Sequence, residues 1–395
     1  MTMSPAKCAV CCAALDVHVL SFPLLPAYLV PIPCELAPRV KRADLHICAC
    51  SHCGHVQVPN PDPEIQRLIY EEYYSYYSVD SSEALVPHYR RPFEDFLWEL
   101  NSRNLLRGTV LEIGCSSGKA IPMLRRFFKH YCGIDPSERI REAERQFPEC
   151  EFVSGFFPDA LADRTFDVVI SQFNLEHMPD PARFLDGVRR VSVPGTLLII
   201  QVPDASDSVR RGFPCFVAHE HIHYFRAATL EKLLLNHGFT PQHWGPTGAG
   251  LSCAATVSEC PNIAPVAHHE STPLSVALQQ KQLARNRPVL YGDHFLFYGV
   301  GPILHWCLLQ LPGQCRTIVV DDNPAYHGMG VPGYNIVVQQ PTPELLQAVN
   351  CVYLTLNSIY YRAVIIKLTA AGFKGEVRGF SGGIWQMLDT SLPQE

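Results

Sequence analysis

The chain has 395 residues, 47% hydrophobic and 18% charged, with a formal net charge of -6. Such a length predicts two or three domains, and the balance excludes a disordered chain. No block of five Lys or Arg residues occurs, which argues against a nucleic-acid partner but not against an anionic small substrate.

Seven of the sixteen cysteines fall in the first sixty residues. The N-terminus lacks the basic flank and unbroken apolar core of a signal peptide. Residues 17–33 are apolar but carry Pro23, Pro26, Pro31 and Pro33, so they do not run as a membrane helix. The expectation is a cytoplasmic protein with reduced thiols, some of which bind metal. Cys8-Ala-Val-Cys11 and Cys50-Ser-His-Cys53-Gly54 are two Cys-x-x-Cys knuckles. Together they supply four thiolates to one tetrahedral ion, a structural Zn2+ arrangement with no open position for chemistry. Binding of this kind is worth on the order of 10 kcal/mol, enough to fold a module too small for its own core.

An aromatic stretch from Tyr70 to Tyr77 and a helical segment lead to Leu106. A strand then ends at Glu112, and a turn containing Gly114 and Gly118 opens a helix predicted to run to about Lys129. A second strand, Tyr131 to Ile134, ends at Asp135. The turn reads Glu112-x-Gly114-x-Ser116-x-Gly118, unlike the dinucleotide fingerprint G-x-G-x-x-G and one residue short of a P-loop. A carboxylate before the first Gly and another at the end of the second strand suit S-adenosylmethionine, an adenosine with a cationic tail and no phosphate. Asp135 would accept from the ribose hydroxyls. Glu112 and the Gly114–Cys115 backbone would order the methionine end. A third strand ends at Phe156 and Phe157, where adenine would lie. Phe166 to Ser171 is a fourth strand, Gln172 to Pro181 a loop containing Asn174 and His177, and Val193 to Ile200 a turn and fifth strand.

His219-Glu220-His221-Ile-His223 alternates like a strand. Further on, Phe295 to Tyr298 is a strand, Gly299-x-Gly301 a turn and Ile303 to Leu311 a helix. Arg316 to Val320 is a strand ending at Asp321 and Asp322. Alone, this second Rossmann-like pattern also fits a dinucleotide site, although a third Gly is missing.

In the order of these motifs the chain resembles the three-domain sugar C-methyltransferases that act on nucleotide-linked 4-keto-deoxysugars. The resemblance rests on the knuckles with Cys53-Gly-His-Val-Gln57, on Tyr73-Tyr-Ser-Tyr-Tyr-Ser78 with His88, on His219-Glu-His-Ile-His-Tyr-Phe225, and on Asp322-Asn-Pro and Val331-Pro-Gly333. It implies that His221 is the base that forms a sugar enolate, with Glu220 as its orienting or alternative carboxylate. It further implies that the C-terminal module holds no cofactor and helps to cover the site. His177 is expected to stabilise the enolate, and Tyr76 or Tyr77 to donate to it or align the sugar. Ala218 stands where relatives carry a tyrosine. That departure sustains one alternative, O-, N- or C-methylation of another natural-product intermediate; a scaffold protein that binds S-adenosylmethionine without catalysis is a second.

The expected fold is α/β: a zinc-binding module (1–62), a connecting aromatic segment (63–85), a Rossmann-like S-adenosylmethionine-binding domain (86–255), a linker (256–284) and a Rossmann-like C-terminal domain (285–395). The expected cofactors are S-adenosylmethionine and structural Zn2+, and the expected partner is a nucleotide-sugar. The chain is expected to act as a monomer or homodimer, with neither membrane nor nucleic acid.

Overall fold

In the computed structural model the described residues are 6–15, 17–73, 76, 86–161, 164–206, 217–245, 250–257, 294–311, 315–381 and 384–389. Tyr77 and most of the expected linker, from 258 onward, lie outside them.

Three sheets organise the chain. The first contains β1 (Val17–Pro26), β2 (Arg42–Ala49) and β3 (Val56–Gln57), all antiparallel neighbours. The second is built from β4 (Thr109–Ile113), β5 (His130–Asp135), β6 (Glu151–Ser154), β7 (Phe166–Gln172) and β8 (Ser192–Pro203), all parallel. Next in the chain comes β9 (His223–Tyr224), which pairs with β3 and completes the first sheet. The hairpin β10 (Phe239–Trp244) and β11 (Gly250–Val257) then returns to the second sheet, β11 running antiparallel beside β8.

The resulting order is β10-β11-β8-β7-β4-β5-β6. A dinucleotide-binding sheet is continued by a parallel sixth strand; here an antiparallel strand is inserted instead. Both faces of the central strands are covered, so Val110 to Ile113 and Val168 to Ser171 are buried throughout and apolar but for Glu112 and Ser171.

The third sheet contains β12 (His294–Tyr298), β13 (Arg316–Val320), β14 (Val338–Gln339), β15 (Cys351–Leu354), β16 (Glu376–Ser381) and β17 (Ile384–Met387). Its order is β14-β13-β12-β15-β16-β17, parallel except for β17. Apolar residues of the first sheet (Phe22, Leu25, Leu45, Ile47) share one core with Phe295 and Phe297 of the third and with Ile303 and Trp306 of the helix that follows β12. On its other side Cys8, Val10 and Cys50 pack into the core of the second sheet with Leu230, Leu233 and Leu234.

Several expectations are corrected. The helix after Gly118 is only Ile121–Leu124. Beyond it Arg126 N bonds Met123 O and Phe127 N bonds Leu124 O, tight i→i+3 turns that end the regular helix well before Lys129. The fifth strand runs on to Pro203, because the β11 hairpin partners it as far as that residue. The helix after Gly301 is Pro302–Leu308, shorter than Ile303 to Leu311. Residues 219–222 are not a strand: His221 N bonds Ala218 O in a turn, and only His223–Tyr224 pair.

Candidate active site

Strand order reverses at β4, with β5 on one side and β7 on the other, and ligands bind outside the carboxyl ends of strands at such a point. Glu112, the turn to Gly118, Asp135, Phe156, Gln172 and Asn174 all lie at this edge.

The turn is shaped by backbone that only glycine adopts freely. Gly114 has φ +78°, and a Cβ there would sit 2.4–2.7 Å from the Asn174 amide. That amide donates to Ile113 O and Gln172 O, both at 2.9 Å, and so locks the β7 loop under the turn. Gly118, at φ +78°, similarly leaves room for Ile121 and Ala143. Phe173, beside Asn174, holds a positive φ of 51°, a strained conformation of the kind concentrated at functional sites.

Asp135 ties the turn to β5. Its Oδ2 accepts from Ser116 N (2.8 Å), and its Oδ1 accepts from Ser137 N (2.8 Å) and Ser137 Oγ. Glu112 is buried and accepts from the Tyr131 hydroxyl. Burial and the nearby Asp135 push its carboxyl up to about 7. The Gly114 and Cys115 amides both donate to Ile134 O, so what this backbone offers a ligand is carbonyl oxygen rather than N–H. Ser117 Oγ, which the motif reading passed over, is buried there with no hydrogen-bond partner. Of the two phenylalanines, Phe156 is 75% exposed, whereas Phe157 turns onto Phe184 with ring centroids 5.6 Å apart.

The loop after β7 brings the histidine segment in. Ile222 N donates to Glu176 O, and His177 Nδ1 lies 2.9 Å from Glu220 O. The His177 and His221 rings meet edge-on at 4.9 Å. A carbonyl only accepts, so His177 Nδ1 carries the proton and Nε2 a lone pair. Burial and neighbouring His221 lower the His177 pKa to about 3, which keeps it neutral. In this state Nε2 presents a lone pair rather than a proton. Burial also raises Glu220.

Sequence reasoning missed Glu176. It is 2% exposed, its Oε1 lies 3.6 Å from His177 Nε2, and burial pushes it up to about 8. Its only signal was adjacency to His177. The aromatic ring at His177 is that of Tyr70, edge-on at 6.5 Å. Tyr76 packs instead with the cluster of Tyr28, Ile32, Ile65 and Ile69. His219 is held by Leu25 O, and His223 Nε2 lies 3.0 Å from Met178 O while its Nδ1 meets His55 at 3.1 Å.

The knuckles converge. Cys8 and Cys53 Sγ lie 3.5 Å apart, as do Cys11 and Cys50, and all four sulfurs lie within 4.8 Å of one another. None is in a disulfide. Among the described residues no helix is long and apolar enough to cross a membrane.

Comparison with known proteins bears on this geometry. Residues 85–243 match the methyltransferase-domain family. The chain is 28% identical over 133 residues to a "Probable S-adenosylmethionine-dependent methyltransferase" of Mycolicibacterium smegmatis, covering 33% of this chain and 51% of that one. It is 24% identical over 134 residues to C-methyltransferase NovU of Streptomyces niveus, covering 33% and 32%. The matches thus span 32–51% of these curated relatives' own lengths. Among solved structures, the DhpI–SAH complex is 23% identical, with a TM-score of 0.38, over 50% of this chain and 95% of that one. Residues 85–243 are a methyltransferase domain of the S-adenosylmethionine-dependent type.

Proposed function

We propose that the whole chain is a C-methyltransferase that moves a methyl group from S-adenosylmethionine to a nucleotide-linked keto-deoxysugar. The observation that carries this reading is the meeting of His177 with the Glu220 carbonyl and the His221 ring on the loop after β7, whose Asn174 is bonded beneath the Gly114 turn. The similarity to a protein named as a C-methyltransferase supports it. Asp135 already accepts three hydrogen bonds, and a carboxylate offers about four acceptor positions, so one is left for a ribose hydroxyl. The exposed Phe156 ring offers a face to adenine. Glu112, Gln172 and Asn174 border the methionine end, with Gly114, Cys115 and Gly118 shaping the turn. S-adenosylmethionine supplies an electrophilic methyl group on sulfur.

The acceptor needs a nucleophilic carbon. His221, with Glu220 as the alternative carboxylate, takes the proton from the carbon beside the sugar's carbonyl, a step worth roughly 10²–10⁴-fold. Holding both reactants at one edge adds the advantage of proximity. The four cysteines hold a structural Zn2+. With Zn–S bonds of about 2.3 Å, tetrahedral sulfurs lie about 3.8 Å apart, close to the separations within this cluster.

A single-turnover assay with methyl-labelled S-adenosylmethionine and a panel of acceptors tests the reading. Label appearing on carbon of a nucleotide-linked ketosugar supports it, and no transfer to any such sugar refutes it. The buried Ala218 favours a second reading, O- or N-methylation of a different acceptor, which the same panel detects. A scaffold that binds the cofactor without catalysis would label nothing.

A further inference from the structure

We infer that Glu176, His177 and His221 form a second metal site, which holds a first-row divalent cation at the acceptor end of the methyltransferase sheet. One ligand atom from each of the three lies within 4.8 Å of the others. The set of two imidazole nitrogens and one carboxylate suits Mn2+, Fe2+, Co2+, Ni2+ or Zn2+ rather than the all-oxygen coordination of Ca2+ or Mg2+.

Two details of the geometry point to an ion. First, Glu176 is 2% exposed, yet its Oε2 makes no hydrogen bond. A purely structural carboxylic acid at this depth would donate its proton to a neighbour, and an ionised one would be paired. Its other oxygen stands 3.6 Å from His177 Nε2, too far for a hydrogen bond. Two ligands each about 2.1 Å from a tetrahedral ion are about 3.4 Å apart, which nearly matches. Second, the Nδ1–H of His177 is anchored on Glu220 O at 2.9 Å, so the lone pair of Nε2 faces the carboxylate. Anchoring the far nitrogen on a carbonyl is how proteins fix the tautomer and aim of a metal-binding histidine.

The His177 side chain keeps 21% of its surface exposed, so an ion here retains open positions. On the reading of function given above, an oxygen of the ketosugar takes one of them. The ion then supplies positive charge beside that oxygen. With its lone pair on the ion His221 no longer serves as the base, and the alternative carboxylate of the proposed function, Glu220, is the proton acceptor. The site itself does not depend on that reading.

The test is Mn2+ binding to the full chain, followed by loss of the free-ion signal in electron paramagnetic resonance. A four-thiolate cluster takes up Mn2+ poorly, so the signal reports the mixed nitrogen–oxygen site. The expected result is one Mn2+ per chain, weakened at least tenfold by Glu176→Gln and by His221→Asn. If Glu176→Gln does not fold, His221→Asn decides. The absence of bound Mn2+, or undiminished binding in a folded variant, overturns the site. No methyl acceptor is used, so that failure leaves the proposed activity standing. Conversely, Mn2+ uptake without transfer to any ketosugar counts against the activity alone.

Discussion

Gly114 carries the sharpest test of how the cofactor edge is built. Gly114→Ala introduces a side chain at φ +78°, a left-handed conformation that costs an L-residue roughly 1–2 kcal/mol. The same methyl group falls within 2.4–2.7 Å of the Asn174 amide, so Asn174 must move and release Ile113 O and Gln172 O. Overpacking of this kind adds about 1–3 kcal/mol, for a total of about 2–5 kcal/mol. Gly195→Ala is the control, because Gly195 has φ +89° but nothing within 4 Å of its absent Cβ. It should cost only the backbone part. Urea unfolding of both variants gives the difference, and calorimetric titration with S-adenosylhomocysteine reads the turn itself. Gly114→Ala should also bind this ligand at least tenfold more weakly. If the two substitutions destabilise equally and Gly114→Ala binds normally, the locking of the turn by Asn174 is refuted.

Three other outcomes are expected. His221→Ala abolishes turnover while S-adenosylmethionine affinity stays near the wild-type value; full activity in that variant removes His221 from the mechanism. Freshly purified protein contains one zinc per chain by elemental analysis, and Cys50→Ser loses it; a metal-free wild-type preparation rejects the four-thiolate assignment. Burial holds the folded-state pKa of Glu176 at about 8 against 4.5. A raised carboxyl contributes stability that is complete below the unfolded value and is lost as pH rises through the folded one. In chelator, wild-type stability should therefore fall between about pH 4.5 and 8, by at most about 1.4 kcal/mol per pH unit from this group, and Glu176→Gln should show a shallower fall. Identical slopes in the two proteins exclude Glu176 as the source.

Local chemistry made some of this legible in advance. Val110, Leu111 and Ile113 and the run Val168 to Ile170 are apolar because both sheet faces are covered, and such patterns show in any sequence. The knuckles show because two thiols three residues apart, repeated as a pair of pairs, have few other uses. What did not show depends on partners distant in the chain. The β10–β11 hairpin contains Pro241, and its insertion beside β8 is set by packing rather than by its own pattern. The alternation of 219–223 imitated a strand, but the first half bends to let Ile222 reach Glu176 O. Glu176 was overlooked for the same reason: its significance lies in the absence of a hydrogen-bond partner for Oε2, which no motif records.

The pairing of β9 with β3 has a consequence for how this chain can be cut. The two residues after Ile222 are stitched to the strand that follows Cys53, and His223 is further clasped by His55. The cysteine module is therefore a brace for the turn that bears Glu220 and His221. Trimming the chain back to residue 85 would leave these histidines unmoored and uncover the core that Cys8, Val10 and Cys50 share with the second sheet. An inactive fragment of that kind would reveal a lost buttress, not a lost reactive group.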